Sequence, residues 1–326
     1  MSIGPLNLGD MARWAFWSPF RSLLSGNRPN HIQHLHALWR IQYLGTKKQH
    51  GVMKDELLKC FPNTHTSTIV SEAYRCAWRV HLEELLIGSL RKESVHHYIT
   101  TSGENNLKEA LNIGKGVILL YPHAGPVMMM MAWLAYNDYS YVQYAARGLP
   151  PVEMAEAHPE LLAHNWFKEE TRKARETAED KLPVEFVTLE QSARPLFRAL
   201  SENKIVGIAY DGRIGKRWKA FPYLNREALL STGPYRLAQR CDATIVPAFC
   251  HTPPNGPSIC TFSKPIRPQE NWTKTASEFL KVMEEHINQH PEEYALWLLH
   301  CRQRCSIDDH PLFIDQSPDS RHLKWL

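Results

Sequence analysis

The feature that most constrains this chain is Gly114-Lys115-Gly116 followed by Val117-Ile118-Leu119-Leu120-Tyr121. Five consecutive apolar residues leave no polar face for water, so the run reads as a strand buried on both sides. Such strands belong to sheets covered by helices on both faces. Further strands are expected at 141–145, 184–188, 205–209, 244–250 and 258–262. Helical patterns lie at 127–136, 159–178, 193–201, 232–240, 275–289 and 294–304. Strands alternating with helices predict an α/β fold, a mostly parallel sheet flanked by helices. In such sheets ligands sit at the carboxyl ends of the strands.

Residues 31–112 read as helical, with apolar residues at three- and four-residue spacings and no strong strand signal. A chain of 326 residues has length enough for two domains, but no glycine- or serine-rich linker and no repeat divides it. One domain over 31–304 is therefore expected, with a helical part at 31–112 and a sheet core at 113–304. A polar extension, 305–326, is expected to be loosely ordered.

Residues 1–30 form a separate N-terminal segment, in which 11–26 carry Trp14, Phe16, Trp17, Phe20, Leu23 and Leu24. Pro19 and the arginines at 13 and 21 interrupt them, which suits neither a signal peptide nor a spanning helix. A short amphipathic segment remains, which either lies in a membrane interface or packs on the domain. The net charge of +4 is mild, and no basic run is interleaved with aromatics, so a nucleic-acid partner is set aside. Residues 168–181 mix both signs densely, the pattern of a solvated helix with i,i+4 pairs.

Seven cysteines without a Cys-x-x-Cys pair argue against a disulfide framework and for a reducing compartment. His300, Cys301 and Cys305 match no common zinc arrangement, and no metal is expected.

The buried strand at 117–121 runs into Tyr121-Pro122-His123-Ala124-Gly125-Pro126 and then a helix. His123 thus falls between a strand end and a helix start, where it can take a proton from an attacking hydroxyl or amine. Main-chain N–H groups of that turn are suited to stabilising negative charge. A second strand ends in Tyr210-Asp211-Gly212-Arg213, followed by a loop with Lys216, Arg217 and Lys219 and no acid. That loop suits a phosphate, a phosphopantetheine arm or an acidic carrier protein, or is simply solvated. Ala220 to Arg226 reads as an aromatic-rich turn leading into a helix through Ser231-Thr232-Gly233-Pro234. The Met128–Met131 run either lines an apolar pocket or fills a core helix.

These blocks, in this order, resemble the lysophospholipid acyltransferase superfamily, and most of all its lipid A late acyltransferase branch. They include the glycine-flanked strand before His123-Ala124-Gly125, Asp211 ending a later strand, and the Ala220–Leu224 turn before Thr232-Gly233-Pro234. Arg236-Leu237-Ala238, Ile245-Val246-Pro247 and Pro291-Glu292-Glu293-Tyr294 with Trp297-Leu298 complete the set. The resemblance covers about residues 50–304.

It implies transfer of an acyl group from a thioester, on acyl carrier protein or coenzyme A, to a hydroxyl or amine acceptor, without a further cofactor. The family pattern His-x4-Asp/Glu orients the histidine with a carboxylate, but here that position is Met128, which accepts no useful hydrogen bond. His123 then acts with a different partner, such as Asp211, or with none. Arg175 and Arg226 fall where family arginines meet polar parts of the substrate. Arg213, Lys216 and Arg217 are candidates for the donor's phosphate. The N-terminal membrane helix usual in the branch is expected to be missing or shortened, which implies a cytoplasmic protein, peripheral at most on the inner face of the membrane. A non-catalytic module binding acyl chains or carrier proteins is the first alternative. The second is an enzyme repurposed for a carrier-bound intermediate of specialised metabolism.

Overall fold

The computed structural model of the protein describes residues 8–24, 35–147, 166–189, 191–213, 215, 217–305 and 311–316. Its centre is a seven-stranded sheet of β1 (Ile99–Ser102), β2 (Val117–Tyr121), β3 (Tyr141–Ala145), β4 (Glu185–Thr188), β5 (Ile205–Ala209), β8 (Thr244–His251) and β9 (Ser258–Phe262). The strands are arranged β1-β9-β8-β2-β5-β3-β4, and every neighbouring pair is parallel except β8 with β9. The expected mostly parallel sheet is present.

Helices cover both faces. Those of seven residues or more are α1 (Leu8–Ala15), α2 (Trp39–Gly45), α3 (Lys47–Cys60), α4 (Thr66–Leu86), α5 (Glu104–Asn112), α6 (Val127–Tyr136), α7 (Trp166–Glu179), α8 (Arg194–Ser201), α9 (Gly233–Cys241), α10 (Trp272–Gln289) and α11 (Pro291–Arg304). The strand β2 shows why its sequence has no alternation. Ile118 and Leu120 pack with Leu196, Leu237 and Phe279 on one face, whereas Val117, Leu119 and Tyr121 pack with Met130 and Leu107 on the other. Both clusters exclude water, so a polar residue at any of these positions would be desolvated without a partner.

Three features differ from the sequence expectation, and a fourth falls on one of two expected alternatives. Within the stretch read as helical, Ile99–Ser102 forms an edge strand on β9. A four-residue strand with two threonines and a serine carries too short a pattern to stand out, and only its partner defines it. Second, the region read as an aromatic turn is a hairpin of β6 (Trp218–Tyr223) and β7 (Arg226–Ser231). Its two-residue turn, Leu224-Asn225, takes φ of 51° and 58°, as a type I′ hairpin needs. A leucine in that conformation hides the turn from a glycine-based reading.

Third, part of the C-terminal extension is packed. Leu312 and Phe313 are buried, and main-chain bonds join Leu229 to Leu312 and Ile314 to Glu227 along β7. Residues 306–310 and 317–326 lie outside the described residues. Fourth, the described part of the 11–26 segment lies against the domain. Trp14 packs on Trp166 and Phe167 at 5.3 and 5.5 Å, and Phe16 on Trp78 at 5.5 Å. The first part of the helix expected at 159–178 falls outside the described residues, and the rest is α7. Among the described residues no helix is long and apolar enough to cross a membrane.

Candidate active site

Parallel register builds the site. Tyr121, the last residue of β2, pairs with Ala209, the last residue of β5. Two residues beyond each strand end stand His123 and Asp211, so adjacent parallel strands carry them to the same place. Tyr210 N–H donates to the Tyr121 carbonyl at 2.8 Å and holds the two segments in step. His123 Nδ1 lies 2.6 Å from Asp211 Oδ1, and the His123 main-chain N–H meets both carboxylate oxygens at 3.1 Å.

Asp211 is fully buried, whereas the His123 side chain is 40% exposed. An inaccessible carboxylate bound to Nδ1 sets the tautomer and leaves Nε2 as the accepting nitrogen. This arrangement also revises one expectation. The His123 N–H is committed to Asp211 and is not a donor for an oxyanion.

One neighbour fixes the imidazole further. The Trp297 indole stacks on it at 3.9 Å between ring centres and 13° between planes. Trp297 in turn stacks on His300 at 5.0 Å. On the other side of the turn Gly125 takes φ +68°, and a Cβ there would stand 2.2 Å from the Cys250 carbonyl oxygen. The turn therefore rests directly on β8, and only glycine permits that approach.

His123 opens into a cavity of about 1030 Å³. Its apolar lining includes Met128, Met131, Tyr144, Phe186, Leu196 and Trp297. Met129 and Met130 are buried in the core instead, so the methionine run divides between the two roles expected for it. The lining crosses the carboxyl ends of β2, β5, β3 and β4 in spatial order, a span of roughly 14 Å at the usual strand spacing. Tyr121 also reaches the cavity, and its phenol donates to Gln143 at 2.7 Å. Burial pushes that phenol's pKa up, so it stays a neutral donor.

The predicted basic residues separate. Arg175 lines the cavity, where it is bonded to Glu179 at 3.0 Å and stands 4.0 Å from Glu84. Arg217 lines the cavity and is exposed. Lys216 lies outside the described residues.

Arg213 is not at the cavity. It is buried, donates to the Leu229 and Pro311 carbonyls at 2.6 and 3.3 Å, and lies over Trp218 at 4.6 Å. Arg226 is likewise elsewhere, held by Glu56 at 2.7 Å and Asp315 at 2.6 Å with its guanidinium over Phe313. Both are consumed by structure. A basic loop read from sequence cannot reveal which of its cations the hairpin turns inward.

Sequence reasoning missed Trp297 and His300 as site residues, and also Arg147, Arg236 and Arg240. Trp297 and His300 are three apart on α11, and Arg236 and Arg240 four apart on α9, so each pair shares a helix face. That spacing was legible; which face looks into the cavity was not. Among the described residues no group of histidines, cysteines and carboxylates is arranged to hold a metal.

Comparison with curated proteins gave no match. The family model for bacterial lipid A biosynthesis acyltransferases matches residues 39–303, which takes in the whole sheet, His123, Asp211 and Trp297. The chain belongs to the bacterial lipid A biosynthesis acyltransferase family.

Proposed function

We propose that this protein transfers an acyl group from a thioester, on acyl carrier protein or coenzyme A, to a hydroxyl or amine, with His123 as general base and Asp211 as its orienting carboxylate. The observation that carries this reading is the 2.6 Å contact between His123 Nδ1 and buried Asp211 at the mouth of a large apolar cavity. The acceptor's O–H or N–H proton passes to His123 Nε2 as its heteroatom attacks the thioester carbonyl carbon. The tetrahedral species collapses with cleavage of the C–S bond. The leaving thiolate takes the proton from the imidazolium, and the products are an ester or amide and a free thiol.

Asp211 stabilises the imidazolium that forms in between, as the acid of a hydrolase triad does. The acyl chain lies in the cavity, across the strand ends from His123 towards Phe186. The apolar lining suits such a chain, since each methylene it buries stabilises by about 0.8 kcal/mol.

The test measures thiol released from palmitoyl-coenzyme A and acyl product by mass spectrometry, with a lipid A precursor and a long-chain primary amine as acceptors. Product is expected with the native protein and a loss of about 10³-fold or more with His123→Ala. Full activity in that variant would sink the assignment of the base. Binding of the thioester without product would favour a non-catalytic module instead.

A further inference from the structure

We propose that Arg217, Arg236 and Arg240 form the binding site for a phosphate group on the thioester donor, an inference that rests on the acyl-transfer reading. All three line the cavity that holds His123. They are brought together locally. The Thr232 N–H, just before α9, donates to the Arg217 carbonyl at 3.0 Å, and Arg236 and Arg240 follow on one face of that helix.

Their pairing sets them apart from the other cavity arginines. Arg147 is bonded to Asp180 at 2.6 Å, and Arg175 is bonded to Glu179. Those cations are neutralised. Arg217, Arg236 and Arg240 have no carboxylate partner among the described residues, and the Arg236 Nε is shut off from solvent without an acceptor.

Arg236 is positioned by an aromatic ring, not by an acid. Its guanidinium lies 5.1 Å from the centre of Trp272, and Lys219 Nζ lies 5.3 Å from the same ring. A ring face orients a cation but uses none of its N–H donors. Like charges lining one cavity repel one another unless an anion joins them. A planar fork of unused donors is the geometry that recognises phosphate oxygens. The half-buried, unmatched Arg236 is therefore a donor set waiting for a ligand of opposite charge. A thioester built on phosphopantetheine carries such a group at a distance from its reacting carbonyl.

The experiment compares binding of 4′-phosphopantetheine and of pantetheine, which lacks the phosphate, to the full chain by calorimetry. Wild-type protein is expected to prefer the phosphorylated compound by about tenfold or more, as charge-assisted hydrogen bonds imply. An Arg236→Gln, Arg240→Gln double variant should reduce that preference to less than about twofold, and Arg236→Lys should keep part of it. Equal binding of both compounds by wild type, or an undiminished preference in the folded double variant, overturns the proposal. With palmitoyl-coenzyme A and a lipid A precursor, the double variant should raise the KM for the thioester. A rise confined to the KM of the precursor would assign the phosphate to the acceptor and overturn the donor site. A phosphate preference in a protein that yields no acyl product would sink the acyl-transfer reading and leave the phosphate site standing.

Discussion

At the scale of single residues, the proposed mechanism separates proton transfer from its control. His123 is accessible and Asp211 is not, so under the proposed acyl transfer substrate would reach the imidazole while the carboxylate keeps one fixed partner. Loss of the Asp211 charge is expected to act on the tautomer and on imidazolium stability, and scarcely on binding. Asp211→Asn should lower kcat by about 10⁴-fold with KM little changed, the cost of removing the acid of a triad. Steady-state kinetics decides it, and a fall confined to KM would deny Asp211 its role. The sequence reading named both residues but placed the natural carboxylate position at Met128 and left Asp211 open. Their proximity follows from the pairing of Tyr121 with Ala209, which no local pattern states. Trp297 was missed for the same reason: a tryptophan in a helix reads as core until its ring is seen against the imidazole.

At the scale of elements, the junction of β8, α10 and α11 carries a group of histidines outside the site. His286 stacks on Phe249 at 4.5 Å, and His251 stacks on His290 at 4.2 Å. Burial, with His290 and His251 adding to it, pushes His286 down to about 3, and its Nε2 is buried without a partner. Burial also lowers His251. The sign follows directly. An unfolded histidine takes its proton near pH 6.5, whereas the folded His286 takes it only near pH 3, so the unfolded chain binds more protons between those values. The stability that neutral His286 supports is complete above about pH 6.5 and is lost as pH falls towards 3. Thermal melts from pH 7.5 to 4.5 should therefore show a falling Tm in the native protein and a shallower fall in His286→Phe. Parallel slopes for the two proteins would show that His286 carries none of the effect.

At the scale of the molecule, the cavity spans four strand ends, with His123 beyond β2 and Phe186 on β4. In the proposed reaction, its length beyond the dyad would set how much chain is accepted. Ala145, at the end of β3, lines the cavity two strands from His123. Ala145→Phe is expected to shift the preferred donor to shorter acyl chains, with the shortest thioesters least affected. Competition among thioesters of graded length measures the shift, and an unchanged preference would mean that the chain takes another path. Much of this architecture was already written in the sequence. Runs such as 117–121 and 205–209 have no polar face, so they read as buried strands between helices, and His123 at the end of one pointed to the candidate site. Signals of that kind are local, because burial and periodicity act within a few residues. Long-range pairing decided the rest. The register of β2 with β5 joined His123 to Asp211, β9 turned Ile99–Ser102 into a strand, and the hairpin drew Arg213 and Arg226 away from the cavity. Hydrogen-bond partners and charge neutralisation are properties of positions in space, and neighbours in sequence do not determine them.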